Sequence, residues 1–180
     1  MKQLIPIDLA SVVDEVKAEG RGRRVLWQDS ESLAFLSSGR KERKDFHVDP
    51  SDEVTVQLSG VQNLVYIDGQ GKQQTAVIKA GQMLLCPGGV PHSPRRFENT
   101  WGLVIERKRR SEEQEEFVWF CEQCDALVLS RVVNQGNIPA QVTAVYTEFN
   151  NDPRLRTCKS CGFVFPETPM AERLSFLEKS

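Results

Sequence analysis

The chain has 180 residues, of which 39% are hydrophobic, and this length supports one full core with a small appendix. Its 23 basic and 25 acidic side chains give a net charge of −2, which argues against a general electrostatic attraction to nucleic acid. The N-terminus lacks a basic-then-apolar leader, and no apolar run approaches the ~18 residues of a membrane span. We therefore expect a soluble, cytoplasmic protein that does not bind membranes.

The first expected element is a helix over residues 8 to 19. Asp8 can cap its N-terminus, its larger apolar residues fall on one face at helical spacing, and Gly20 ends it. A one-sided apolar stripe has to be buried, so we expect this helix to pack on the main body of the protein.

Short apolar segments bounded by turn residues follow the helix. Several alternate apolar and polar residues, as strands with one buried face do, and Asp68-Gly69 is a hairpin signal. Because no helical pattern separates the segments, we predict an all-β antiparallel sandwich or barrel. The expected strands are Val25–Trp27, Leu33–Leu36, Val54–Leu58, Leu64–Ile67, Thr75–Ile78, Met83–Leu85 and Gly102–Ile105.

Both histidines of the chain lie in this region, each within a motif that resembles one half of a cupin metal site. The motifs are Glu53-x6-Gly60, preceded by His47, and Gly81-x5-Pro87-x-Gly89-x2-His92. A lone histidine in a strand is usually structural, but two imidazoles and a carboxylate gathered in one barrel form a facial triad with an open side, which suits Fe(II). The usual second histidine of the first motif is Asp49 here, so we expect no fourth ligand.

A charged connector follows the last of these strands. The basic run Arg107–Arg110 is followed by the acidic segment Glu112–Glu116, and the two nearly cancel. A nucleic-acid patch requires uncompensated positive charge, so a solvated connector is the better interpretation.

The last third of the chain contains two Cys-x-x-Cys pairs, Cys121/Cys124 and Cys158/Cys161. In a reducing compartment this pattern predicts a tetrathiolate site for Zn or Fe rather than disulfides, and a closed four-thiolate shell is typically structural. We expect two further strands, Ala126–Leu129 and Val142–Tyr146, to complete a small metal ribbon. The fifth cysteine, Cys86, lies in an apolar segment and is interpreted as a small buried side chain.

Taken together, these motifs resemble the bacterial-type 3-hydroxyanthranilate 3,4-dioxygenase family, cupins with a rubredoxin-like metal site at the C-terminus. The resemblance covers nearly the whole chain. It rests on Val25-Leu-Trp27-Gln-Asp29, Arg43-Lys-Asp45-Phe-His47, Asp49-Pro50-x-x-Glu53, Gln57-Leu-x-Gly60, Val90-Pro-His92-Ser-Pro94-x-Arg96, Gly102-Leu-Val-Ile-Glu106-Arg107, Phe117-Val-Trp119-Phe-Cys121 and the two cysteine pairs.

The resemblance implies a role for each of these positions. It places the iron ligands at His47, Glu53 and His92, and the second metal site at Cys121, Cys124, Cys158 and Cys161. It places substrate-binding arginines at Arg43 and Arg96, and the acidic catalytic partner of the substrate at Glu106. Arg43 precedes His47 by four residues, so we expect the two to project from the same strand face, as Arg96 and His92 should.

The resemblance also implies the reaction and the organisation of the chain. Residues 1–110 would form a cupin catalytic barrel, and residues 111–180 an extension with the rubredoxin-like site. The barrel would use Fe(II) and O2 to open the ring of 3-hydroxyanthranilate, giving 2-amino-3-carboxymuconate semialdehyde, the precursor of quinolinate. Family members are usually homodimers, and we expect one here.

Some positions depart from the family pattern. Arg23 stands where the family commonly has Asn, Val54 and Thr55 stand where it has aromatic residues, and Phe46 replaces a Tyr. These changes leave open a dioxygenase for a related aminophenol or hydroxylated aromatic acid. An alternative outside the enzymes is a metal-stabilised binding module for nucleic acid that uses the cysteine ribbon and Arg107–Arg110.

Overall fold

The protein is described by a computed structural model for residues 4–39, 42–134 and 138–168, with the backbone alone at residues 138 and 139. Residues 1–3, at the start of the expected barrel, and residues 169–180, at the end of the expected extension, lie outside the described residues. In chain order the elements are α1 (Leu9–Ala18), β1 (Arg23–Trp27), β2 (Ser32–Ser38), β3 (Phe46–Val48), β4 (Glu53–Ser59), β5 (Val61–Ile67), β6 (Gln73–Lys79), β7 (Met83–Cys86), β8 (His92–Arg96), β9 (Trp101–Arg107), β10 (Glu115–Phe120), β11 (Leu127–Val133) and α2 (Ile138–Asn151).

The N-terminal helix forms as predicted. The Asp8 carboxylate caps it by accepting a hydrogen bond of 3.0 Å from the Ala10 amide, and Gly20 adopts the left-handed φ of 67° just beyond its end. Val13 and Val16 are buried against β2 and β9, so the apolar face packs on the barrel. No described helix is both long and apolar enough to cross a bilayer.

Two antiparallel sheets make up the body of the protein. The first has the strand order β1-β2-β9-β4-β7, and the second has the order β11-β10-β3-β8-β5-β6. Every segment expected to be a strand before residue 106 lies in one of them, and the predicted all-β architecture of antiparallel strands is confirmed for this part of the chain. The sheets face each other, because β3 and β8 of one place their polar side chains beside those of β4 in the other.

The second sheet continues past the charged connector. β10 pairs with β3, with Phe117 opposite His47, and also with β11. The start of the C-terminal extension is therefore hydrogen-bonded directly to the strand that carries one of the two histidines.

The predicted strand Val142–Tyr146 is wrong, because this segment lies within α2. Val142, Val145, Tyr146 and Phe149 are all buried, at the spacing of one helix face. They pack on β10 and β11, where the Phe149 ring stacks on Trp119 with centroids 4.4 Å apart. The other predicted strand of the ribbon, Ala126–Leu129, forms as part of β11.

Candidate metal centres and active site

The two histidines and Glu53 meet between the sheets. His47 on β3 lies directly opposite His92 on β8, and Glu53 begins β4 in the other sheet. One ligand atom of each lies within 4.8 Å of the others, and His92 Nε2 is 3.7 Å from the Glu53 carboxylate. The three residues predicted to bind a metal are thus brought together across the barrel.

The donor atoms of this cluster fit a cation. His92 Nδ1 lies 2.9 Å from the Val90 carbonyl, which can only accept, so Nδ1 carries a proton and Nε2 is the nitrogen that can give a lone pair to a metal. Nε2 is buried and has no hydrogen-bond partner among the described residues. Burial alone would raise the pKa of Glu53, but the neighbouring side chains of His92, His47 and Arg96 lower it to about 2. An ionised carboxylate beside an unused lone pair suits a divalent metal.

The guanidinium of Arg96 lies at the same face of β8 as His92. Its side chain is only 3% exposed, and its Nη1 is 3.5 Å from Ser37 Oγ, whereas Nε and Nη2 have no hydrogen-bond partner in the described part of the chain. Burial lowers the pKa of Arg96 to about 10, so the group remains cationic at neutral pH. A buried cation with unused donors can receive an anionic group of a ligand.

The position of Arg43 differs from the prediction that it shares a strand face with His47. β3 begins only at Phe46, so Arg43 lies in the preceding segment and does not share a strand face with His47. Its Nε and Nη2 donate to Asp45 Oδ2 at 3.0 and 2.7 Å, and both side chains are buried. Burial alone would lower the pKa of Arg43, but the charge of Asp45 and, to a smaller extent, that of Glu53 raise it. Arg43 therefore lies in the electrostatic neighbourhood of the triad, oriented by Asp45.

Glu106 lies on β9 directly opposite Glu53 on β4, so its carboxyl group also faces the barrel interior. Burial, and next a hydrogen bond with Asp49, raise the pKa of Glu106 to about 8. Its Oε2 accepts a hydrogen bond of 2.8 Å from Arg109. A carboxyl group that titrates near neutral pH is suited to proton transfer.

The prediction of a solvated connector holds for Arg107 but is wrong for Arg109 and Glu115. Arg107 forms a partly exposed ion pair with Glu113 at 2.6 Å. Arg109 instead turns into the barrel, where it contacts Asp49, Glu106 and Glu115, and its side chain is 11% exposed.

Glu115 is a residue of the site that sequence reasoning missed. Its Oε2 lies 2.7 Å from His47 Nε2, and its side chain is 4% exposed. A signal was present: Glu115, Phe117 and Trp119 alternate along β10 and share one buried face. Because the opposite charges of Arg107–Glu116 nearly cancel, the segment resembles a solvated connector, and the alternation is easily missed.

The positions that depart from the family pattern differ in their distance from the site. Arg23 on β1 lies 4.3 Å from the Phe35 ring, and the charge of Glu106 acts on it, although burial dominates and lowers its pKa. Thr55 lies on the inward face of β4, 3.4 Å from the Glu53 carboxylate, whereas Val54 points the other way. Phe46 packs edge-on against Phe120 in the core.

The four paired cysteines form a second cluster. The Sγ atoms of Cys121 and Cys161 are 3.5 Å apart and those of Cys124 and Cys158 are 3.6 Å apart. These distances exceed the ~2.05 Å of a disulfide and approach the roughly 3.8 Å edge of a tetrahedron with 2.3 Å metal–sulfur bonds. Hydrogen bonds from the Cys161 and Ser160 amides lower the pKa of Cys158 to about 6, whereas burial and the neighbouring sulfur atoms raise that of Cys161 to about 12.

The remaining cysteine, Cys86, does not belong to this cluster. It is 4% exposed and packs with Leu64 and Ile78, which confirms the prediction of a small buried side chain. It also lies opposite Glu53, at the edge of the histidine cluster.

The family model and the curated relatives point to one family. The model of the family described as "3-hydroxyanthranilic acid dioxygenase" matches residues 5–150. Three curated proteins named 3-hydroxyanthranilate 3,4-dioxygenase are similar to the chain. That of Bacillus cereus is 41% identical over 92% of this chain and 94% of its own, that of Xanthomonas campestris pv. campestris 34% over 81% of each, and that of Neurospora crassa 32% over 75% and 74%. Among solved structures, a cupin-2 domain protein of Shewanella frigidimarina matches with a TM-score of 0.42 and 22% identity, over 53% of this chain and 91% of its own.

Proposed function

Because the chain belongs to the 3-hydroxyanthranilic acid dioxygenase family, we propose that it opens the ring of 3-hydroxyanthranilate with O2 in an Fe(II)-dependent, extradiol-type reaction. The product is 2-amino-3-carboxymuconate semialdehyde, which contains every atom of the substrate and both oxygen atoms of O2. The observation that carries this proposal is the cluster of His47, Glu53 and His92 beside the buried, partly unpaired guanidinium of Arg96.

Fe(II) is the metal proposed for the triad. Two imidazoles and a carboxylate on one face leave open positions opposite, the pattern of non-heme Fe(II) oxygenases. When bound, Fe(II) brings the substrate and O2 together and supplies the electron transfer that activates oxygen. His47, Glu53 and His92 would hold it, while the surrounding barrel keeps bulk water away from the reacting groups.

The substrate is oriented by charge. Arg96 offers its unused Nε and Nη2 donors to the substrate carboxylate, and Arg43, fixed by Asp45, adds a second positive charge on the same side. Glu106 accepts a hydrogen bond from the hydroxyl or amino group of the ring and can take the hydroxyl proton, since its pKa near 8 allows it to hold and release a proton near neutral pH.

The second cluster is proposed to be a structural Zn or Fe site. Four thiolates leave no coordination position for a substrate, and all four cysteines belong to the extension that we propose for residues 111–180, beyond the proposed catalytic barrel of residues 1–110. As the family resemblance implies, we further propose a homodimer that acts in the cytoplasm.

The main alternative is a dioxygenase for a related aminophenol or hydroxylated aromatic acid. The partly buried charge of Arg23, which acts on Glu106, favours it, because this position differs from the family pattern. The test compares turnover of 3-hydroxyanthranilate with that of 2-aminophenol, which lacks the carboxylate. We expect kcat/KM to favour 3-hydroxyanthranilate strongly in the wild type and much less in Arg96→Ala. Equal kcat/KM values in the wild type would contradict the proposed substrate.

A further inference from the structure

One guanidinium joins the two halves of the proposed site. Arg109 Nη2 lies 2.5 Å from Asp49 Oδ2 and 2.8 Å from Glu106 Oε2, and its Nε pairs with the Glu115 carboxylate. All three carboxylate groups are 5% exposed or less. A planar guanidinium can satisfy several carboxylates at fixed angles, which an ammonium cannot do.

The Asp49 end of this cluster is anchored to the backbone. Asp49 Oδ1 accepts hydrogen bonds from the Ser51 amide at 2.7 Å and from its hydroxyl at 2.8 Å. Asp49 is therefore fixed by its own loop, and Arg109 is fixed through Asp49. This gives a role to the residue that replaces the second histidine of the first cupin motif.

The opposite end of the cluster reaches a predicted metal ligand. Glu115 uses one oxygen for Arg109 and the other for His47 Nε2, at 2.7 Å. The His47 ring also stacks on Phe117 of the same strand, with centroids 5.2 Å apart. The orientation of His47 thus depends on β10 through one carboxylate and one aromatic ring.

We propose that Arg109 is a positioning residue which, anchored by Asp49, holds the proton-transferring group Glu106 directly and the His47 ring through Glu115. Neither Arg109 nor Glu115 has to touch the substrate for this role. The inference rests on the proposed function for the part that concerns Glu106, whereas the part that concerns His47 depends only on metal binding.

The experiment measures two quantities in the full chain: the affinity for Fe(II) under anaerobic conditions, without substrate, and the steady-state constants with 3-hydroxyanthranilate. The variants are Arg109→Ala, Arg109→Lys, Glu115→Ala and Glu115→Gln. Arg110→Ala and Glu112→Gln are matched controls, since these exposed residues belong to the same charged connector. Circular dichroism verifies that each variant is folded.

We expect Arg109→Ala and Glu115→Ala to weaken Fe(II) binding by about 10- to 100-fold, the usual effect of removing a partner of a ligating histidine. Arg109→Ala should also lower kcat with little change in KM, and millimolar guanidinium should restore part of that kcat. Glu115→Gln should bind Fe(II) better than Glu115→Ala, because its amide oxygen can still accept the bond from His47. The two controls should behave as the wild type.

Two results would overturn the inference. The first is a folded Arg109→Ala protein with wild-type Fe(II) affinity and kcat. The second is tighter Fe(II) binding by Glu115→Ala, which would mean that Glu115 competes with the metal for His47. If the wild type binds Fe(II) but does not turn over 3-hydroxyanthranilate, the proposed function fails while the affinity measurements still decide the role of Glu115 and Arg109 toward His47.

Discussion

Individual residues of the site are constrained by how little space the barrel interior leaves. Gly102 on β9 shows this clearly, because a Cβ atom there would lie 3.0 Å from Arg96 Nε, 3.1 Å from Arg96 Nη2 and 3.2 Å from Gln57 Oε1. The two Arg96 nitrogens are the donors without a partner in the described residues. The absence of a side chain at Gly102 therefore leaves room for the guanidinium of Arg96.

Gly102→Ala should displace Arg96 by a few tenths of an ångström and weaken substrate binding without affecting the metal. We expect KM for 3-hydroxyanthranilate to rise by up to about tenfold, equivalent to ~1.4 kcal/mol, with Fe(II) affinity unchanged. Steady-state kinetics and anaerobic titration would measure the two effects. Gly69→Ala is the control, since a Cβ at Gly69 meets no atom within 4 Å. An unchanged KM in Gly102→Ala would show that the position of Arg96 does not matter for substrate binding.

The raised pKa of Glu106 predicts how the stability of the metal-free protein depends on pH. The pKa is about 8 in the folded state and near 4.5 in an unfolded chain, so the folded state binds more protons between these pH values. The free energy of unfolding should therefore fall as the pH rises from about 4.5 to 8. Glu106→Gln removes this titration.

Denaturant unfolding of the metal-free proteins at pH 5.5 and 8.5 would measure the effect. We expect the stability of Glu106→Gln relative to the wild type to improve by about 1 kcal/mol or more over this interval, because each pKa unit is worth ~1.4 kcal/mol. The free energy of unfolding of Glu112→Gln, which alters an exposed carboxylate, should change with pH as that of the wild type does. A constant difference between Glu106→Gln and the wild type would mean that Glu106 has an ordinary pKa.

Among the secondary-structure elements, the strands of the barrel were predictable because their signals are local. Alternating side chains and glycine turns occur within a few residues of each other, and both cupin motifs lie at strand ends. The helix α2 was mistaken for a strand because Val142–Tyr146 is rich in β-branched and aromatic residues. Val142, Val145 and Tyr146 already have the i, i+3, i+4 spacing of a helix face, and Phe149, one turn further on, continues it.

The burial of charged residues in the connector and at the start of β10 could not be predicted from the local charge pattern. Arg109 and Glu115 lie in a segment whose charges nearly cancel, which is typical of solvent-exposed connectors. Their burial depends on Asp49 and His47, residues about 60 positions earlier in the chain. Such long-range pairing becomes visible only when the sheet register places β10 beside β3.

The cysteine cluster should stabilise the extension without taking part in the reaction. Cys161→Ser would leave three thiolates, so we expect loss of the second metal and a lower thermal midpoint. A loss of ~3 kcal/mol would lower it by about 6–12 °C for a chain of this size. Below that temperature kcat/KM should stay within severalfold of the wild type.

Metal analysis, calorimetry and kinetics on Cys161→Ser would test this expectation, with the neighbouring Ser160→Ala as the control. A normal thermal midpoint together with lost activity would contradict a structural role. It would indicate instead that the second metal acts in the reaction.

For the whole molecule, one continuous sheet links the two clusters of predicted metal-binding residues. His47 belongs to β3, β3 pairs with β10, and Cys121 directly follows β10. The basic run Arg107–Arg110, which suggested a nucleic-acid surface, is partly neutralised within the protein, since Arg107 and Arg109 both pair with carboxylates. This arrangement favours the dioxygenase over the binding module.

The central claim is that the triad, loaded with Fe(II), inserts both atoms of one O2 into 3-hydroxyanthranilate. The most direct measurement is O2 consumption by the anaerobically reconstituted protein after addition of 3-hydroxyanthranilate and ¹⁸O₂, with mass analysis of the ring-opened product and His92→Ala as the comparison. We predict one O2 consumed per substrate, with one labelled atom in the new carboxylate of the wild-type product and a second in its aldehyde until that oxygen exchanges with water, and neither O2 consumption nor label with His92→Ala. A ring-opened product without label, or equal turnover by His92→Ala, would contradict it.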